Sequence, residues 1–107
     1  MLLTTQNEFN EYEIVETLGL VKGNSVRARH IGKDIMAVFR NMVGGEIEEY
    51  TKLLAESREQ SIDRMVEMAE TLGADGIVAI RFTTSSIMQA ASEMFAYGTA
   101  VKLRKKE

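Results

Sequence analysis

A long amphipathic segment, residues 46–72, constrains the fold of this 107-residue chain more than any other feature. Apolar and small residues recur through it at three- and four-residue steps: Tyr50, Leu53, Leu54, Ser57, Ser61, Met65, Met68, Ala69 and Leu72. This spacing predicts one continuous α-helix with a single buried face. Glu46, Glu48 and Glu49 suit its positive end, and Gly73 ends it. At roughly 1.5 Å per residue, such a helix is about 35–40 Å long and crosses a small sheet completely.

Three other segments have the composition of β-strands, namely residues 13–21, 77–84 and 94–103. Each is rich in β-branched or aromatic residues, which favour strands. Lys, Gly, Asn and Ser at positions 22–25 predict a turn after the first strand, because Gly and Asn tolerate positive φ. A hairpin turn is predicted near residues 85–93.

A second, shorter helix is predicted over residues 31–43, where Gly44 and Gly45 follow as a stop signal. Its apolar stripe consists of Ile31, Ile35, Val38, Phe39 and Met42. The predicted order is strand, helix, helix, strand, strand. This order indicates one α+β domain over residues 1–107, in which the long helix packs on a mostly antiparallel sheet.

Composition excludes several classes of function. Apolar residues make up 45% and charged residues 27%, as in globular proteins. With no cysteine in the chain, disulfides, thiolate metal sites and cysteine nucleophiles are excluded. A net charge of -3 provides no general attraction to nucleic acid. No signal peptide or membrane span is recognisable, so we expect a soluble, cytoplasmic protein.

The last predicted strand is apolar on both sides. Phe95, Tyr97, Val101 and Leu103 lie on one side, and Met94, Ala96, Gly98 and Ala100 lie on the other. Such a strand needs cover on both faces. We therefore expect a symmetric homo-oligomer in which a second copy supplies part of the cover. In the alternative, the short helix completes the cover and the protein is monomeric.

A set of residues spread along the chain occurs in the order and spacing of a known family. The set comprises Val21 and Gly23; Ile31, Asp34 and Arg40; Val43, Gly44, Gly45 and Tyr50; Leu54 and Arg58; Gly73, Ala74 and Asp75; Ile77 and Val78; and Gly98, Thr99, Ala100 and Val101. Together they resemble the YbjQ-like family of small uncharacterised bacterial and archaeal proteins, often labelled heavy-metal-binding. The resemblance implies a β-α-β-β subunit of dodecin-like topology, a closed pentameric ring and no established enzymatic activity. The chain departs from the family pattern at residues 27–30, Asn41, Glu46 and Gly76.

The family label implies a metal ion, for which His30 and Asp34 are the candidate ligands. They are four residues apart, so they share a face if the short helix begins early enough. However, tight transition-metal sites rely on several His or Cys ligands, and this chain has one His and no Cys. A surface histidine beside an ordinary aspartate is the alternative. Methionine thioethers also bind copper(I), but Met36, Met42 and Met65 lie on the apolar stripes, which favours packing.

Arg40, Gly44 and Gly45 are the candidate ligand-binding residues, because an anion could bind where glycines precede a helix N-terminus. The acidic first turn of the long helix would repel a phosphate, so a plain helix–helix corner is the alternative. No catalytic motif is recognisable, and we expect no enzymatic activity. Two basic clusters are not interleaved with aromatic residues, so we expect no nucleic-acid partner. They are Arg27, Arg29 and Lys33, and Lys102, Arg104, Lys105 and Lys106.

These observations lead to two functional hypotheses. The first is a non-enzymatic oligomeric binding protein that holds a small ligand or metal ion at its subunit boundaries. The second is an oligomeric interaction or assembly module without a small-molecule ligand. A polar pocket built from several chains would favour the first, and an exposed apolar or charged patch would favour the second.

Overall fold

A computed structural model of the protein describes residues 1–27, 47–88 and 91–107, with side chains in 1–25, 54–85 and 93–107. The described elements are β1 (Leu2–Leu3), β2 (Tyr12–Arg27), α1 (Ile47–Thr71), β3 (Gly76–Met88) and β4 (Ala91–Lys105). The strands form one sheet in the order β1-β3-β4-β2. β1 is parallel to β3, and the other two pairings are antiparallel. The α+β class and the mostly antiparallel sheet are therefore confirmed.

The predicted turn at residues 22–25 is wrong, because β2 continues through it to Arg27. Lys22 pairs with Tyr97, Gly23 with Ala96 and Ser25 with Met94. A glycine is needed at position 23 because α1 packs directly against it, and not because the chain turns there. A Cβ built on Gly23 would lie 2.2 Å from the carbonyl oxygen of Ser61 and 2.4 Å from the amide nitrogen of Met65. Only glycine lets the helix backbone approach the strand this closely.

The N-terminal residues extend the sheet beyond β3, which the sequence pattern does not indicate. The amide of Leu2 donates to the carbonyl of Asp75, and the amide of Thr4 donates to the carbonyl of Ile77, both at 3.1 Å. Farther along, the amide of Ile80 donates to the carbonyl of Thr4 at 3.1 Å. A two-residue strand is too short to show any periodicity.

The hairpin is tighter than predicted. Ser85 pairs with Glu93, and β3 and β4 continue to Met88 and from Ala91. The strands thus occupy most of the predicted turn at residues 85–93, whose remaining positions 89–90 lie outside the described residues. The predicted short helix at residues 31–43 lies outside them as well.

The prediction of the long helix is confirmed, including its end. Gly73 has φ of 75°, and its amide donates to the carbonyl of Glu70 at 3.0 Å. The amide of Ala74 donates to the carbonyl of Ala69 at 3.1 Å. This pair of bonds around a left-handed glycine is the Schellman motif, which satisfies carbonyls that the helix end leaves free.

The core lies between α1 and the sheet, and α1 packs chiefly against β2 and less against β3. The buried apolar residues of this cluster are Val21, Met65, Ala69, Ile77, Ile80, Ala96 and Ala100. Where the helix touches β2, the buried side chains are small and polar. The hydroxyl of Ser25 donates to Oε1 of Gln60 at 2.8 Å, and that of Ser61 donates to the carbonyl of Arg58 at 2.7 Å. These bonds satisfy the hydroxyls that the close approach buries.

The opposite face of the sheet, here called the second face, is covered at one end by the segment between β1 and β2. Phe9 packs edge-on against Tyr12, with ring centroids 6.4 Å apart. A Cβ on Gly76 would meet Phe9 and Leu103 at 3.0 Å, so these side chains meet on that face. Farther along, Lys22, Arg81 and Tyr97 on the same face are exposed.

Candidate ligand-binding groove

A groove opens at the edge of the sheet where α1 does not cover β3. Its volume is about 230 Å³. It is lined by Leu3, Thr4, Thr5, Ile62, Met65, Ile80 and Phe82. The off-centre helix explains its position, because one helix about 10 Å wide cannot cover four strands.

A bulge in β3 places the side chains of Ile80 and Phe82 on the side of the sheet that faces this groove. Val78 pairs with Thr99 and Arg81 with Tyr97, so Ala79 and Ile80 together lie opposite one residue of β4. Ala79 has φ of 55°, a left-handed conformation that non-glycine residues seldom adopt. The extra residue places Ile80 on the same side of the sheet as Ile77, facing the helix.

Gly98, which lies opposite the bulge, leaves space for these isoleucines. A Cβ built on it would lie 2.7 Å from Cγ2 of Ile77 and 3.2 Å from Cγ1 of Ile80. A larger residue at this position would therefore collide with Ile77 and crowd Ile80.

The chemistry of the groove is apolar. Among the described residues that line it, the polar side chains are those of Thr4 and Thr5, and Phe82 remains 42% exposed at the rim. Arg81 links the N-terminal segment to β3 at the rim of the groove. Its Nη1 donates to the carbonyls of Thr5 at 2.7 Å and Ile80 at 2.8 Å. Such a groove binds by removing apolar surface from water, and its lining offers no strong acid, base or metal ligand.

A second, polar cleft of about 400 Å³ lies at the corner of the sheet. It is lined by Glu13, Arg104, Lys105, Lys106 and Glu107. Arg104 forms an ion pair with Glu13, but both side chains are largely in solvent. Although larger, this cleft is lined by charged, mostly exposed side chains and encloses little apolar surface.

The sequence-predicted site residues cannot be compared with the groove. His30 and Asp34, the candidate metal ligands, and Arg40, Gly44 and Gly45, the candidate ligand-binding residues, all lie outside the described residues. Of the groove residues, sequence analysis identified only Met65 as part of a buried stripe. For the other groove residues, the sequence feature that could have indicated an apolar site is the Leu2-Leu3 pair near the start of the chain.

A heavy metal does not fit the part of the chain that the structure describes. Within residues 1–27, 47–88 and 91–107, no three His, Cys, Asp or Glu side chains come close enough to hold a metal ion. Structural sites for such metals use about four ligands, usually His or Cys. Among the described residues there is also no helix with the length and apolarity needed to cross a bilayer.

Over the residues that the structure describes, the fold and groove define a small α+β protein with a long helix on a four-stranded mixed sheet. A family model described as "Putative heavy-metal-binding" (YbjQ_1) matches residues 1–104, and the chain belongs to this family. The resemblance inferred from the sequence is thereby confirmed.

Relatives of similar length are called UPF0145 proteins. One from Pseudothermotoga lettingae is 55% identical over 98% of this chain and 99% of its own length. Another from Thermosipho africanus is 51% identical over 98% and 97%. Their shared name describes an uncharacterised family and points to no catalytic activity.

A solved structure shares the fold. The crystal structure of a DUF74-family protein of unknown function from Pediococcus pentosaceus superposes with a TM-score of 0.66. The match covers 97% of this chain and 98% of the other, at 17% sequence identity. At this identity the comparison supports the architecture alone.

Proposed function

We propose that this protein is a non-enzymatic, cytoplasmic binding protein that assembles into a homo-oligomeric ring and holds a small apolar ligand where subunits meet. The observation that carries the proposal is the position of the groove. It opens at the β1–β3 edge of the sheet, where a neighbouring subunit could close it.

Exposed apolar side chains along both edges of the sheet support the assembly. On β2, one edge strand, Ile14, Val15 and Leu20 are exposed, and Leu20 is 62% exposed. At the opposite edge the exposed side chains are Leu2, Leu3 and Phe82. Contact between these different edges of successive copies is heterologous, and it closes into a ring if the rotation between copies allows. Ring closure also removes the exposed strand edges that favour aggregation. Five subunits is the number that the family resemblance implies.

The lining supports an apolar ligand in preference to a metal ion. A metal would need ligands from residues outside the described part of the chain, whereas the groove walls are already in place. A groove of about 230 Å³ is somewhat smaller than the roughly 300–1,000 Å³ typical of ligand pockets. A neighbouring subunit would enlarge and enclose it.

Native mass spectrometry of protein purified without added metal or a histidine tag tests this proposal. We expect a multimer with a discrete excess mass that is released on denaturation. Phe82→Lys should convert the multimer to smaller species, because it places a charge in the apolar edge. Thr83→Lys is the matched control, since the next side chain lies on the second face. A wild-type protein that is monomeric at micromolar concentration would contradict the assembly.

The small volume of the groove also favours the second hypothesis, an interaction module without a ligand. Side chains from the neighbouring subunit could fill a groove of this size completely. In that case the same experiment gives a multimer with no excess mass.

A further inference from the structure

Strand β4 presents two aromatic rings on the second face of the sheet. Its residues alternate in the order Phe95, Ala96, Tyr97, Gly98. The small residues Ala96 and Gly98 are buried toward the helix. The rings of Phe95 and Tyr97 point the other way, with centroids 5.7 Å apart and planes tilted by 40°. Tyr97 remains 36% exposed and Phe95 is half-buried.

Cationic side chains flank this aromatic pair on both neighbouring strands. Tyr97 pairs with Lys22 on β2 and with Arg81 on β3, so the three residues form one row across the sheet. Lys22 and Arg81 are both exposed. Arg81 donates to the carbonyls of Thr5 and Ile80, and within the described part of the chain it forms no ion pair with a carboxylate.

The next row is uncharged, because Phe95 pairs with Asn24 and with Thr83. Arg64 of α1 reaches the β2 edge of this row from the helix side of the sheet, where its Nη1 donates to the carbonyl of Asn24. Glu93 lies on the same face and accepts a hydrogen bond from Nδ2 of Asn24 at 3.0 Å. Among the described side chains beside the two rings on this face, the cations Lys22 and Arg81 outnumber the carboxylate of Glu93, although the whole chain carries a charge of -3.

We propose that this surface binds single-stranded nucleic acid, with bases stacked on Phe95 and Tyr97 and phosphates contacting Lys22 and Arg81. This departs from the expectation drawn from the sequence alone, because strand pairing places the aromatic and cationic residues side by side although they are distant along the chain. Aromatic rings stack with any base, and flanking cations attract the backbone. In the RRM, a four-stranded sheet that binds single-stranded RNA, aromatic residues stack on bases from alternating positions of a strand, with a small residue between two of them. Phe95, Ala96 and Tyr97 on β4 follow the same pattern.

The shape of the surface favours a strand over a free mononucleotide. The second face is open around Tyr97 and forms no enclosing pocket among the described residues, so one nucleotide would bury little area. A strand makes several such contacts at once. The proposal is independent of the apolar groove, which lies on the helix side of the sheet.

The binding test uses fluorescence anisotropy of labelled oligouridylate and oligothymidylate of about ten nucleotides, titrated with the full chain at about 50 mM salt. We expect Tyr97→Leu to weaken binding about tenfold, the effect of losing one stacked base, whereas Tyr97→Phe leaves it unchanged. Lys22→Gln should weaken binding and make the salt dependence shallower, since one phosphate contact is lost. Glu93→Gln should tighten it.

Lys105→Gln, at the far corner of the sheet, removes the same charge as Lys22→Gln and is its control. Circular dichroism shows whether each variant is folded. The proposal is overturned if neither oligonucleotide binds at low salt. It is also overturned if double-stranded DNA binds equally well, or if Lys105→Gln and Lys22→Gln have equal effects, because either result indicates nonspecific attraction.

Discussion

The carbonyl oxygen of Ser61 lies directly over Gly23, only 2.2 Å from the position that a Cβ on that glycine would occupy. This contact joins the middle of α1 to the middle of β2 with no side chain between their backbones. The contact determines how close the axis of α1 comes to β2. With the helix positioned over β2, β3 is left partly uncovered. The apolar groove at the β3 edge is a consequence of this placement.

Gly23→Ala is therefore expected to lower the free energy of unfolding by about 1–3 kcal/mol or more. The obstacles are backbone atoms, which cannot move aside as the end of a flexible side chain can. Urea denaturation measures the loss. Thr83→Ala, an exposed change on the same sheet, should cost less than about 1 kcal/mol. Equal stability of Gly23→Ala and the wild type would show that α1 does not rest on β2 at this point.

The hydrogen bond between Ser25 and Gln60 should contribute measurably to the helix–sheet contact. Ser25 is only 1% exposed, so truncation to alanine leaves its partner without a donor in a partly buried place. We expect Ser25→Ala to cost about 1 kcal/mol. A double-mutant cycle with Gln60→Ala isolates the bond. If the two losses simply add, the side chains do not interact in solution.

The left-handed glycine at the end of α1 gives a third prediction. With φ of 75° at Gly73, an alanine there is strained by about 1 kcal/mol. A Cβ at this position would contact only Nζ of Lys102, at 3.7 Å, so steric crowding contributes little. Gly73→Asn should recover part of the loss, since asparagine tolerates this conformation. Thermal unfolding of the two variants compares them, and equal melting temperatures would contradict a conformational origin.

The ion pair between Arg104 and Glu13 should matter little for stability. The side chains are 69% and 44% exposed, so water and salt screen their attraction. We expect Arg104→Gln to change the free energy of unfolding by less than about 1 kcal/mol, and the difference should shrink in high salt. A larger loss that persists in high salt would mean that Arg104 stabilises the fold through packing.

The long helix and the cores of two strands could be predicted from patterns among neighbouring residues. The three- and four-residue spacing from Tyr50 to Leu72 identified α1, and Gly73 marked its end, because a helix face and a C-cap depend on neighbouring residues alone. The strand composition of residues 77–84 and 94–103 placed the cores of β3 and β4 for the same reason. The family resemblance was also readable from residues along the chain.

Local signals failed where the conformation of a residue depends on a distant partner. Gly23 resembles a turn residue, yet it lies in a strand because α1 needs its missing side chain. A two-residue segment such as Leu2-Leu3 is too short to show a periodic pattern. These residues form a strand because they pair with the edge of β3. The bulge at Ala79 likewise needs Gly98 opposite it.

The sequence by itself determined the helix, its cap, the strand cores and the family, since each follows from interactions between near neighbours. Only the tertiary structure decided which faces are open. Because α1 packs chiefly on β2, it leaves the groove open beside β3. The register of the strands places Lys22, Tyr97 and Arg81 in one row across the sheet. The physical reason is that register and packing come from many weak contacts between distant segments, which no local window of sequence contains.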